Sequence, residues 1–429
     1  MRKLISTILA LCMVLCLLPV TAAADDADPA EPTVPTETVK LDVGGEDADN
    51  SEYYVGKDIR LRKDGVVYEL TGTTDKELQM WGSNSPDPVK TFYLRLNGAT
   101  INGGITIWNP SGAKLVVEVV DGTDNTVSRL YAVDLTITGA GTIRSGDLGS
   151  TQSKEARNLS KLYIKDTKIV VDYTSGNPSE WNGACVLDGS ADVTYTSFTE
   201  YAALKLAQTS GVSHSLTMKG NAKLRCLQAN ASDPAASAVD GLAAHGAPIT
   251  LQDNAYLEAV GRATTGLYAG YGVITQSSIT VEENATIKAT AYDAALSAEG
   301  NVKVDGGKII AKSVYGCGIY GKDGVDIRNG AEVTAKSTNS NGIYTKSAIN
   351  ISDGATVEAE GHYPAIFGST GVTITNSTVK ASGDDVAIYS PADVTIRDSV
   401  IKATSPDNFD GILARGTATI TGSWIETST

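Results

Sequence analysis

The chain has 429 residues, with 50 acidic and 35 basic side chains, a formal net charge of −15 and an apolar fraction of 41%. That balance argues against nucleic acid as a partner, because phosphate binding depends on clustered cations, and it leaves divalent cations open as ligands. Five cysteines scattered over this length are too few for a disulfide-built scaffold.

The first two dozen residues read as an export signal (1–24). Arg2 and Lys3 precede an apolar run from Leu4 to Val20, broken late by Pro19, and Thr21-Ala22-Ala23-Ala24 offers small residues for cleavage after Ala23 or Ala24. Cys12 and Cys16 each follow leucine, which does not suit lipid attachment. No later apolar run approaches the roughly 18 residues needed to cross a bilayer, so a product free of a transmembrane segment, secreted or held at the cell envelope, is expected. Residues 25–42 form an acidic linker in which Pro29, Pro32 and Pro35 disfavour helix and sheet. Cys185, Cys226 and Cys317 remain; the odd number leaves one unpaired in a monomer, and all three read as small buried hydrophobes.

From residue 43 to the end, one domain is expected. Residues 43–90 are the least regular, and Ile59-Arg-Leu61, Val66-Val67-Tyr68 and Leu78-Gln-Met80-Trp81 suggest an N-terminal cap or first coil. Tyr93 to Ile101, Ile105-Thr-Ile107, Leu115 to Val119 and Leu135-Thr-Ile137 suggest irregular coils. Further turns begin at Leu162, Val193, Leu216, Ile249 and Ile279. The last part is the most regular. VKVDGGKIIAK from Val302 recurs as VDIRNGAEVTAK from Val325, INISDGATVEAE from Ile349, VTITNSTVKAS from Val372, VTIRDSVIKAT from Val394 and ATITGSWIET from Ala418. A second register, Ile319, Ile343, Ile366, Ile388 and Ile412, recurs at 24, 23, 22 and 24 residues.

Each unit reads as three short strands. Alternation of β-branched and polar residues fits one buried and one wet face, and corners such as Asp353-Gly354 and Asn376-Ser377 fit positive φ. Nothing recurs at helical spacing, and the leucine consensus of a horseshoe repeat is missing. The economical solution is an all-β, right-handed, single-stranded parallel β-helix of roughly 13–14 coils, about 65 Å long at the usual rung spacing. Its handedness is taken from strand twist and crossover preference. Ile319, Ile343, Ile366 and Ile388 should stack inward. The last unit stops after a second strand begun by Trp424-Ile425; Trp424 is expected to lie across the open end, with Glu426 opposing end-to-end association, so that the protein is a monomer.

The strings YLRLNGATING, KLVVEVVDGTDNTV and LTITGAGTIRSG between Phe92 and Gly146, followed by VTI…GIY turns, resemble secreted carbohydrate-binding β-helix proteins of anaerobic bacteria and, more remotely, the pectate-lyase-like superfamily. That resemblance implies glycan binding at a surface, of cellulose or acidic plant polysaccharide, with calcium. Loop lengths depart from the pattern, so no individual calcium ligand is carried over.

Read by themselves, the residues offer two candidate sites. An aromatic follows the third-strand aliphatic at Tyr268, Tyr320, Tyr344, Phe367 and Tyr389, interrupted by Ser297 and Leu413; pointing outward it would form a stripe for sugar rings, and pointing inward only a core ladder. The loops before those strands carry Tyr292, Tyr315, Asn339, His362 and Tyr363, and then Asp384 and Asp385 with Asp407 and Asp410 one turn later. Those four acids would offer hard oxygen ligands to Ca²⁺, or else are solvated turn acids. A glycosidase needs two carboxylates at a controlled separation, and Gly383-Asp384-Asp385 supplies acids, but no Asn-Thr-Asp or Gly-His-Gly string accompanies it. A lyase needs a base over its acids, and Arg328 and Arg397 lie on first strands, away from the acidic loops. His214, His245 and His362 are dispersed, which does not favour a His-based metal site or a nucleophilic triad. The expectation is therefore a non-catalytic polysaccharide-binding protein. A structural or adhesive envelope protein, and a lyase or hydrolase with a divergent site, are the alternatives.

Overall fold

A computed structural model describes residues 33–428, except 84–86, 109–111, 151–160, 175–179, 200, 207–213, 230–238, 263–269 and 407–408. The export signal, most of the Pro-rich segment, Tyr268 and Asp407 lie outside the described residues. Within the unit Val34–Thr429 the chain forms a right-handed parallel β-helix of about 13 turns.

Each regular turn contributes one strand to each of three ladders. The first ladder includes Asn301–Asp305, Gly324–Arg328, Ala348–Ile351, Gly371–Thr375, Val394–Arg397 and Ala418–Thr421. The second includes Lys308–Ser313, Glu332–Ser337, Thr356–Gly361, Thr378–Gly383, Val400–Thr404 and Trp424–Ser428. The third is a separate sheet of ten strands among the described residues, running from Glu180–Trp181 to Ile412–Ala414. Pairing is parallel and in register, as in Val325↔Ile349↔Val372↔Val394, so like residues stack on like. Backbone hydrogen bonds therefore run between turns, and every alternate side chain enters one shared core.

The corner between first and second strands shows why these sequences turn. Asp166, Asp253, Glu283, Asn329, Asp353, Asn376 and Asp398 take positive φ between 47° and 61°. Short polar side chains tolerate this left-handed region, and Gly306 and Gly422 replace them in other turns. A serine stack follows: the Ser377 N–H donates to Ser399 Oγ and the Ser399 N–H to Ser423 Oγ, both at 3.2 Å. Outside, charged rows are neutralised rung to rung, with Lys336 Nζ 2.7 Å from Glu360 and Arg328 2.7 Å from Asp305.

Ile319, Ile343, Ile366 and Ile388 are fully buried and consecutive in register, as the repeat predicts. Other expectations need correction. Sheet begins inside the segment read as linker, because Thr38–Asp42 buries Val39 and Leu41 while pairing with Val67 to Thr71; alternation over five residues suffices once a partner strand is present. Residues 48–61 form a small antiparallel meander, and only its last strand, Ile59–Leu61, joins the parallel stack through Leu78–Trp81. The turn placed at Val193 begins one strand earlier, at Ala184–Asp188, since Asp192–Ser197 belongs to the second ladder. Cys185 and Cys226 are buried, but Cys317 is only partly so.

Trp424 does not lie across the end of the core. It pairs with Val400, another outward position, and is 56% exposed, whereas Ile425 stacks on buried Ile401. Val400 and Ile401 are both apolar, so alternation alone does not reveal which of the two faces inward. In the last rung described, Ile420 continues the inward register of Ile396 and is 47% exposed.

Candidate functional site

The third ladder decides the direction of the aromatic residues. In Ile319–Gly321, Ile343–Thr345, Ile366–Gly368 and Ile388–Ser390 the first and third residues are buried and the middle one is partly exposed. Because strand side chains alternate, the inward isoleucines force Tyr320, Tyr344, Phe367 and Tyr389 outward on one face. Their centroids lie 5.6, 5.2 and 5.2 Å apart in succession. Three rung steps make this ladder roughly 14 Å long. Tyr320 and Tyr344 are stacked with their planes 19° apart, so each covers part of the other's face; Phe367 and Tyr389 meet edge to face at 61°.

The ladder stops at Ser297. Register places Ile274, Ser297 and Tyr320 on consecutive strands, and the serine is too small to reach the Tyr320 ring. A groove of about 720 Å³ opens there, with Ser297 among its lining residues and Tyr271, Asp293, Glu299, Cys317, Tyr320 and Lys322 around it. Burial pushes the Asp293 carboxyl above the usual range, partly offset by the Ala294 N–H and the Tyr271 hydroxyl, which donate to it. Burial, then the Asp293 charge, pushes the Tyr271 phenol up to about 12. Behind them, Asp240 accepts the Tyr271 N–H at 2.9 Å and is raised by its own burial. Lys322 is held by Glu299 at 2.6 Å, which raises the lysine. Burial raises the Cys317 thiol, whose sulfur lies 3.6 Å from Ser340 Oγ; a thiol held protonated is a poor nucleophile.

The loop residues form a looser surface. Tyr292 and Tyr315 have ring centroids 4.6 Å apart, with Tyr315 56% exposed. Tyr363 is exposed and packs edge-on against His362, whose Nδ1 is 2.8 Å from Asp384 Oδ2. Asp385 is partly exposed and Asp410 exposed. Among the described residues, no three His, Cys, Asp or Glu side chains gather as a metal set.

Two features escape the sequence reading. The groove has a signal, the serine at Ser297 where later turns carry aromatics, but the register position one strand earlier is held by Ile274 and not by Tyr268 as the repeat suggested, and the groove's walls come from successive turns. The other lies near the N-terminal end, where Trp81 and Trp108 are outward register partners, 40% and 50% exposed, and the Arg60 guanidinium is 5.5 Å from the ring centroids of both Trp81 and Tyr54. No helix among the described residues is long and apolar enough to cross a membrane. Comparison with known proteins finds no matching family model, no matching curated protein and no matching solved structure.

Proposed function

We propose that this is a secreted or surface-held glycan-binding protein without catalytic activity, whose β-helix presents an aromatic surface to polysaccharide. The observation that carries this reading is the outward ladder of Tyr320, Tyr344, Phe367 and Tyr389 over an inward isoleucine stack. Sugar rings carry apolar C–H faces that pack on aromatic rings, and side chains fixed by a sheet lose little freedom on binding. Tyr292, Tyr315 and Tyr363 would extend contact from the neighbouring loops. Calcium enters the proposal with Asp384, Asp385, Asp407 and Asp410 as its ligands; one oxygen of Asp384 lies 2.8 Å from His362 Nδ1.

The test is a glycan array probed with the chain in EDTA and in millimolar Ca²⁺, repeated with the double variant Tyr320→Ala, Tyr344→Ala. Binding that drops at least ten-fold in the folded double variant supports the ladder. Retained binding removes the ladder from the site, and equal binding in both buffers removes calcium.

A further inference from the structure

We infer that the groove at Ser297 is a separate subsite that takes one neutral pyranose ring and rejects anionic sugars. The inference rests on the glycan-binding reading and deepens it. Within the ladder the aromatic rings partly cover one another, but the strand partner of Tyr320 on its other side is Ser297, with no ring of its own to stack there. Tyr320 lines the groove of about 720 Å³ at Ser297 together with Tyr271 and Tyr344, while Tyr344 and Phe367 each pack against aromatics on both sides.

The polar groups set the chemistry of the occupant. Asp293, Glu299 and Asp323 line the groove against a single cation, Lys322, which Glu299 already engages at 2.6 Å. Asp240 adds negative charge behind Tyr271. A uronate or sulfated sugar would bring like charge into this partly desolvated space, where the one cation among the lining residues, Lys322, is already paired with Glu299. The hydroxyls of a neutral sugar, by contrast, are donors that suit carboxylate acceptors, and charge-assisted hydrogen bonds of this kind are the stronger ones. The ring would pack on Tyr320 and donate hydroxyls to Asp293 and Glu299, while the rest of the glycan continues along the ladder.

The experiment is calorimetric titration of the purified chain with a neutral gluco-oligosaccharide and with an oligogalacturonide of equal length. Two variants accompany it: Ser297→Tyr, which fills the groove while extending the ladder, and Asp293→Asn, which keeps the packing and decides the matter if the first variant misfolds. Expected are binding of the neutral oligomer, at least ten-fold weaker binding of the uronate, and a loss of ten-fold or more in Ser297→Tyr. Asp293→Asn should weaken the neutral oligomer several-fold and narrow the gap to the uronate. Unchanged or tighter binding by folded Ser297→Tyr would place the sugar on the ladder alone and overturn the subsite while sparing the glycan-binding reading. Equal affinity for both oligomers would overturn the charge selection, as would an unchanged preference in Asp293→Asn. No binding of any glycan, here or on the array, would sink both proposals.

Discussion

Replacing Ile343 by alanine tests the register on which the aromatic ladder depends. Ile343 is fully buried between Ile319 and Ile366. Three buried carbons are lost, worth about 2.4 kcal/mol in transfer free energy at about 0.8 kcal/mol each. The neighbouring turns are held at rung spacing by backbone hydrogen bonds above and below, so the hole collapses little. A cavity contribution then brings the expected loss to about 4 kcal/mol, within the ~2–5 kcal/mol range of such truncations. Tyr344→Ala, one residue on and facing out, should cost less, about 0.5–1.5 kcal/mol for each lost aromatic contact. Denaturant unfolding gives the global change. Because a solenoid transmits stability from neighbour to neighbour, amide hydrogen exchange over residues 319–389 should show the loss centred on the turns flanking Ile343. A cost below about 1 kcal/mol, or a larger one for Tyr344→Ala, would refute the inward assignment and with it the outward ladder.

Asp353 holds a corner at φ 56°, so Asp353→Val should lower stability by about 1–2 kcal/mol in denaturant melts while Asp353→Gly is nearly neutral; equal effects would show that the corner carries no left-handed constraint. Asp305 is held down at about 2, first by its hydrogen bond from Arg328 and further by Asn329 and Lys303. A carboxyl depressed in the folded state stabilises fully above its unfolded value of about 3.9, and that stabilisation is lost as pH falls from there through the folded value. Acid titration of stability in Asp305→Asn should therefore be flatter than wild type between about pH 4 and pH 2, and superimposable curves would refute the contribution.

Much of this architecture was legible in the residues. The 22–24 residue recurrence, the two-residue alternation and the Asp, Asn and Gly corners each have a local cause, and together they imply a coil whose turns pair with one another. That Ile319, Ile343, Ile366 and Ile388 form one row follows from the same pattern. Alternation states that Ile343 and Tyr344 face opposite ways, but both are apolar enough to be core. Only the packed turns show that the isoleucine occupies the interior, leaving the tyrosine outside. The same ambiguity concealed the outward position of Trp424, because Val400 and Ile401 would each pass as buried until the ladder fixes the phase. Thr38–Asp42 was hidden for another reason: a short strand next to prolines gains its hydrogen bonds from Val67 to Thr71, a partner well downstream. The groove is the most strictly tertiary feature. Its acids, its lysine and Tyr320 come from successive turns, and they meet around one small residue, Ser297, that stands in a register where the later turns place aromatics.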